Sequence, residues 1–314
     1  MLLSRTADNL FWMSRYIERA ESIARLIQVA RRMAMTAAIG LGTRNEWESV
    51  IVIAGCSEAF YEQHETANAR TVTDFLVFDL DNSVSLMAYL GRARNNARSA
   101  RTFFTSDMWE ALNSTWIQAR ERIAERATRN DPVEFLEWVK ERTMLLRGAT
   151  IDTMLRDDAF IFCQLGTYIS RATNTSRLLD VKYHVLLPEQ ESVGGAVDYY
   201  QWMAVLRSVS AHRSYHFVYK DDLNPAKIAE FLILRPEMPR SLVTCLREVD
   251  GYLGQLGEMY GQRHECQRLS GELFSELRYG QIDRIFAEGL HEYLTRFVKR
   301  TALLSDEISR SYLS

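Results

Sequence analysis

Proline is scarce in this chain, 5 residues in 314, and glycine is held to 15. So few residues that break or bend a backbone argue against a turn-rich all-β fold, and the alanine, leucine, arginine and glutamate between them favour long helices. No stretch reaches the length of a membrane span, and Arg5 and Asp8 interrupt the apolar N-terminal run, so neither a transmembrane anchor nor a secretory signal is expected. No charge of one sign dominates. Basic residues number 38 against 41 acidic ones, and the resulting −3 argues against a dedicated nucleic-acid binder. Cysteine is limited to Cys56, Cys163, Cys245 and Cys266, far apart and without a CxxC pair. That spacing disfavours a structural zinc site and a disulfide framework, and fits a reducing cytoplasm. Lysine is rare: arginine outnumbers it 33 to 5. The guanidinium fork suits carboxylates and phosphates, although a GC-rich genome produces the same bias. With 47% apolar residues the chain can bury a sizeable core.

What is present is repetition. "YIERAESIARLIQV" at 16–29 returns as "YISRATNTSRLLDV" at 168–181, aligning Tyr16 with Tyr168, Arg19 with Arg171 and Arg25 with Arg177 at an offset of 152. "NEWESVIVIAGCSEAFY" then aligns with "YQWMAVLRSVSAHRSYH" at an offset of 155, and "FLVFDLDNSVSLMAYL" with "FLILRPEMPRSLVTCL" at 156. Three matches in one order, with offsets drifting by four, point to tandem duplication. The period is too long for a solenoid. The expectation is an all-α single domain of two pseudo-twofold-related halves, approximately 1–150 and 151–314.

Periodicity predicts helices near 6–37, 45–56, 70–78, 83–103, 106–129, 132–156, 158–186, 197–219, 225–234, 240–261 and 267–312, the last with a break near Gly280. Asn82, Ser106 and Asp131 before Pro132 are predicted to cap helix starts, and 186–197 reads as a loop. On the first helix Leu10, Met13, Ile17, Ala20, Ala24 and Ile27 form an apolar stripe. Ser14, Glu18, Glu21, Arg25, Gln28 and Arg32 form the opposite one. Arg19 projects among Trp12, Ile23, Leu26 and Ala30, where its charge is expected to be partly buried and paired.

The pair Glu18–Arg19 after an aromatic-rich start, "DLDNSVS" at 79–85, "RARNNARSAR" at 92–101, "WEALN" at 109–113, "SRLLDVKYH" at 176–184 and "PRS" at 239–241 together resemble the alpha-E family. These are bacterial helical proteins named for a Glu-Arg motif, and the resemblance covers nearly the whole chain. Two departures stand out: Ser170 occupies the place of Glu18 in the second copy, and Ser83 stands where the family tends to have proline. The resemblance implies company more than chemistry. Such proteins are typically encoded beside, or fused to, a circularly permuted ATP-grasp ligase, often with a transglutaminase-like protein nearby. ATP and Mg would belong to that ligase, with no cofactor in this chain, leaving the helical protein to bind a carboxylate-bearing amino acid or peptide, or an amine donor.

Two readings stand for Arg19 and Arg171 with Glu18. The repeated helices could present their guanidiniums to an anion in a shared cleft, with Arg25 and Arg177 in support. Alternatively each arginine is tied to an acid such as Asp79, Asp81 or Glu110 and fixes helix register. Arg94, Arg98 and Arg101, at i, i+4 and i+7 without acidic helical neighbours, form a stripe that suits a phosphate, an acidic partner or solvent. His212 and His216 at i and i+4 lack a further ligand, and "EGLH" at 288–291 is a single ExxH where a di-iron bundle needs two. No metal site is predicted. "GLG" at 40–42 is too short for a dinucleotide loop, and neither GxxxxGK[ST] nor GxSxG occurs. The tryptophans read as core. The expected role is a substrate-binding or accessory protein, cytoplasmic, acting with an ATP-grasp-type ligase in amide-bond chemistry, without nucleic acid or membrane. One rival is a stand-alone helical transferase or hydrolase with Glu18 as general base and Arg19 and Arg171 stabilising an anion. The other is a purely structural subunit.

Overall fold

The first helix explains the rest. A run of 33 residues without proline or glycine, Ser4–Thr36, forms α1, and its apolar stripe and, but for the half-buried Arg32, the polar stripe opposite it are both buried. A helix covered on both sides must lie at the centre of a bundle, and its charged stripe must find partners there.

The computed structural model describes residues 2–36, 46–184, 196–220 and 223–313. After α1 come α2 (Glu46–Ala54), α3 (Ser57–Tyr61), α4 (Ala69–Thr73), α5 (Leu86–Ser99), α6 (Ser106–Ala124), α7 (Arg126–Asn130) and α8 (Val133–Thr153). Then follow α9 (Asp158–His184), α10 (Ala196–Ser208), α11 (His212–Tyr219), α12 (Pro225–Ile233), α13 (Leu242–Tyr260), α14 (Glu265–Arg278), α15 (Ile282–Glu288) and α16 (Leu290–Ile308). All regular structure among the described residues is helical, as composition predicts. The predicted loop at 186–197 and the "GLG" at 40–42 fall wholly or mostly outside the described residues.

Around α1 pack α9, α5, α8, α10 and a terminal π-helical turn, Ser309–Leu313. α9 in turn carries α13 and α16, while α6 pairs with α8 and α14 with α16. The apolar contacts join into one core.

Three helix starts and one helix end differ from expectation. Ser85 caps α5, its hydroxyl accepting from the Ala88 amide. Asn82 instead accepts from the Val84 amide at 3.0 Å and donates to the Phe75 carbonyl at 2.8 Å, bracing the turn before the helix. Thr105 rather than Ser106 caps α6, and Pro132 takes the cap position of α8 with Asp131 Oδ1 accepting from the Val133 amide. Neighbouring short polar side chains are interchangeable as acceptors, so the path of the backbone decides among them. α5 ends at Ser99, so Arg101 lies in a separate 3-10 turn, Arg101–Phe103, and not on the α5 face with Arg94 and Arg98.

The α1–α9 crossing needs glycine. A Cβ on Gly166 would stand 2.2 Å from the Phe11 carbonyl oxygen and 3.2 Å from the Ser14 Cβ. Backbone cannot yield as a flexible side chain can. Gly166→Ala is therefore expected to cost about 3 kcal/mol through overpacking, read as a lower urea midpoint at unchanged slope; a wild-type midpoint would show the helices to be less closely seated.

Candidate functional site

Glu18 and Glu21, one turn apart on α1, are 1% and 0% exposed. Two buried carboxylates cannot stand unpaired, and four arginines from four segments meet them. Arg25, one turn on, donates Nε to Glu21 Oε1 at 2.8 Å and Nη2 to the same oxygen at 2.5 Å, while its Nη1 donates to the Ser208 carbonyl. Arg171 of α9 grips Glu18 with two donors, Nε to Oε1 at 3.3 Å and Nη2 to Oε2 at 3.2 Å. Arg240, in the "PRS" turn that leads into α13, bridges the pair: Nη1 to Glu18 Oε1 at 2.8 Å and Nη2 to Glu21 Oε1 at 2.6 Å. Arg147 of α8 donates Nη1 to Glu18 Oε2 at 3.2 Å and also to Glu21 Oε2. Thr143 Oγ1 donates to Glu21 Oε2 at 3.2 Å, and Asn174 Nδ2 donates to the Glu18 carbonyl at 3.1 Å.

Burial pushes the Glu18 carboxyl up, but the guanidiniums of Arg171, Arg240 and Arg147 outweigh it against the opposing charge of Glu21, and hold Glu18 at about 2. Glu21 is likewise lifted by burial and brought well below the carboxylate range by Arg240, Arg147 and Arg25. Arg171 is lowered by burial and raised further by Glu18, for a net rise. Both carboxylates are therefore ionised at neutral pH, and a group with pKa about 2 and its oxygens occupied by donors is a poor general base.

Beside Glu18 lies a cavity of ≈ 180 Å³ between α1, α8 and α9. Met13, Ile17 and Leu146 give it apolar walls, and Glu18, Arg147 and Arg171 form its charged edge. Cys163 also lines it, but burial pushes that thiol up to about 12, so it is no ready nucleophile.

Arg19 and Arg171 do not share this site. The half-buried Arg19 is stacked 5.5 Å from the Trp12 ring and 5.8 Å from Tyr89, and lines a separate small hollow with Arg177. The expected acidic partner is missing among the described residues; Asp79, Asp81 and Glu110 make no ion pair with it. Aromatic faces take the place of a carboxylate. Asp81 is exposed, its amide donating to Asp79 Oδ1. Arg94 donates to Asn113 Oδ1 at 2.8 Å, Arg98 is exposed, and Arg101 donates to the Phe104 carbonyl over the Trp109 ring. None of these three reaches the glutamates.

His212 and His216 meet edge to face with ring centres 4.7 Å apart. His291 pairs with Asp180 at 2.7 Å, and Glu288 with Arg296. Among the described residues no cluster of three or more His, Cys, Asp or Glu side chains is placed to hold a metal ion.

Glu21, Arg147 and Arg240 are the network members that sequence reasoning does not single out as site residues, although Arg240 lies in the quoted "PRS" and Glu21 on the polar stripe of α1. Arg147 carries a signal all the same: in "TMLLRGAT" it has no acid at i±3 or i±4, so its charge must be met from elsewhere in the fold.

No curated protein and no solved structure matches the chain. A family model, Alpha-E, described as a predicted alpha-helical domain with a conserved ER motif, matches residues 2–313. With Glu18 anchoring the buried network and Arg19 beside it, the chain belongs to the Alpha-E family.

Proposed function

We propose that this chain is a substrate-binding or accessory protein that works with an ATP-grasp-type ligase in forming or modifying peptide or amino-acid amide bonds. In this reading the cavity beside Glu18 holds the carboxylate of an amino acid or peptide. A single observation carries the binding half of it: four guanidiniums surround two carboxylates, an imbalance of two positive charges, with Arg147 and Arg171 at the cavity wall. A carboxylate entering there meets fixed donors in a low-dielectric setting. At ≈ 180 Å³ the cavity suits one amino acid or a peptide end, being smaller than the roughly 300 Å³ where drug-sized pockets begin. The ligase, as the resemblance implies, would bring ATP and Mg, with a transglutaminase-like protein as a further partner. No described helix is long and apolar enough to cross a membrane, and a cytoplasmic setting is part of the proposal. The rival that uses Glu18 as a base is disfavoured by its fully engaged, strongly acidic carboxyl.

We also infer that the chain is one domain made of two duplicated halves. Two features support this. Ser85 and Ser241, paired at the offset of 156, both cap a helix in the same extended conformation and accept from the amide three residues on. Ser14 and Gly166, paired at the offset of 152, meet at the α1–α9 crossing, and a residue touching its own counterpart is what a twofold axis produces.

Thr167→Phe tests the site, because it fills the cavity without removing a member of the charge network. ATP-dependent amide formation by an adjacent-gene ligase is measured with and without this chain. The chain is expected to be required, and the folded variant to lower turnover by roughly tenfold or more. Full turnover with the variant, or without the chain, would overturn the proposal.

A further inference from the structure

The ER motif divides: Glu18 joins the ion-paired network, whereas Arg19 faces the hollow it shares with Arg177. At the offset of 152, Glu18, Glu21, Arg25 and Arg171 correspond to Ser170, Thr173, Arg177 and Arg19. The second set keeps both arginines and has hydroxyls in place of both acids. That correspondence rests on the duplication proposed above; the state of the arginines does not.

Among the described residues no carboxylate makes an ion pair with Arg15, Arg19 or Arg177. Arg15 is buried, with Nη1 donating to Ser305 Oγ and Nε without a hydrogen-bond partner. Burial, and then the charge of Arg19 with a smaller contribution from Arg177, pushes it down to about 9 against Asp306 and Tyr16. Ser170 Oγ, in the place of the missing glutamate, is buried and also unpartnered. Ring faces of Phe11, Trp12 and Tyr89 cover Arg15 and Arg19, and Arg177 is exposed, but rings carry no net charge, so three mutually repelling guanidiniums leave a positive surplus that an anion from outside would offset.

The hollow is small, ≈ 20 Å³, but Ile53 and Arg177 also belong to a neighbouring cavity of ≈ 210 Å³. Val52, Leu294 and Val298 give that cavity apolar surface, and Lys299 adds a fourth cation. Among the described residues its one carboxylate, Asp180, pairs with His291. We propose that Arg19 and Arg177, with Arg15 behind them, form a second anion site for the phosphoryl group of a phosphate monoester whose organic part lies in the adjoining cavity. A phosphoryl group carries roughly −1.5 to −2 at neutral pH and three acceptor oxygens. It matches an uncompensated arginine cluster better than a carboxylate, which brings a single charge and two oxygens. The oxyanion sits at the mouth where hollow and cavity meet, with the exposed Arg177 as its outer clamp.

Inorganic phosphate and acetate, at matched ionic strength, are the probes, in calorimetric titration and thermal melting of the full chain. Phosphate is expected to bind saturably and raise the melting temperature, with acetate much weaker. Arg177→Gln should weaken phosphate binding by roughly tenfold or more. With one repelling charge removed, this variant should also melt no lower than wild type in phosphate-free, low-salt buffer, which a structural arginine would not permit. Thr167→Phe, which disables the carboxylate cavity, should leave phosphate binding unchanged. Absence of saturable phosphate binding, equal binding of acetate, unchanged affinity or a lower melting temperature in Arg177→Gln, or loss of phosphate binding in Thr167→Phe would each overturn the assignment.

Discussion

Replacing Glu21 by alanine should cost about 3–5 kcal/mol, the range for removing one partner from a buried ion network. Whole domains are stable by only about 5–15 kcal/mol, so much of the protein would unfold at moderate temperature. Glu21 accepts from Arg25, Arg240, Arg147 and Thr143. Without it four guanidiniums face Glu18 alone, and the surplus positive charge rises from two to three. The urea midpoint should fall without a change in slope. Trimming the opposing charge should repair part of the loss: Glu21→Leu with Arg147→Met is expected to be more stable than Glu21→Leu alone, because it returns the surplus from three to two and leaves an apolar pair that needs no desolvated partner. A Glu21→Ala protein with wild-type stability would mean that the arginines are solvated and the network does not hold the bundle.

Acid should act on the same place. Glu18 titrates near 2 in the folded chain against an ordinary value of 4.5, and Glu21 is lowered in the same direction. A carboxyl whose folded pKa is depressed stabilises fully above its unfolded value and loses that contribution as pH falls through the folded one. The lowering of Glu18 alone corresponds to about 3 kcal/mol. Urea midpoints should therefore be insensitive to these two groups above about pH 5 and fall steeply as the medium approaches pH 2. A midpoint unchanged across that acid range would show that neither glutamate is held by its arginines.

Much of the fold is legible in the sequence because backbone-breaking residues are so few. The long helices α1, α8 and α9 follow from periodicity to within a few residues. The short α3 is not among the predicted helices, and two predicted helices are broken without proline or glycine: 106–129 at Glu125 into α6 and α7, and 197–219 at Ser210, whose φ is 59°, into α10 and α11. The site is only half legible. Arg25 and Arg171 stand out because they recur in the repeated segment, and Glu18 because it belongs to the Glu-Arg pair, although Ser170 replaces it in the second copy. Arg147 and Arg240 do not recur, and what places them against the glutamates is the docking of α8 and of the turn before α13, a long-range event that no local pattern encodes. The pairing expected for Arg19 fails for a similar reason: an apolar flank on a helix wheel cannot distinguish a carboxylate in the fold from the ring faces of Trp12 and Tyr89.

Arg240 reaches Glu18 across 222 positions of chain. During synthesis, the central rod therefore emerges long before two of the four cations that neutralise it, since Arg171 and Arg240 both lie in the later half. Until they arrive its glutamates have only Arg25 and Arg147 to lean on, and water is the cheaper neighbour. Native packing of that rod must wait for the later half of the polypeptide, which makes the closure of the bundle a late and cooperative event, not a stepwise one.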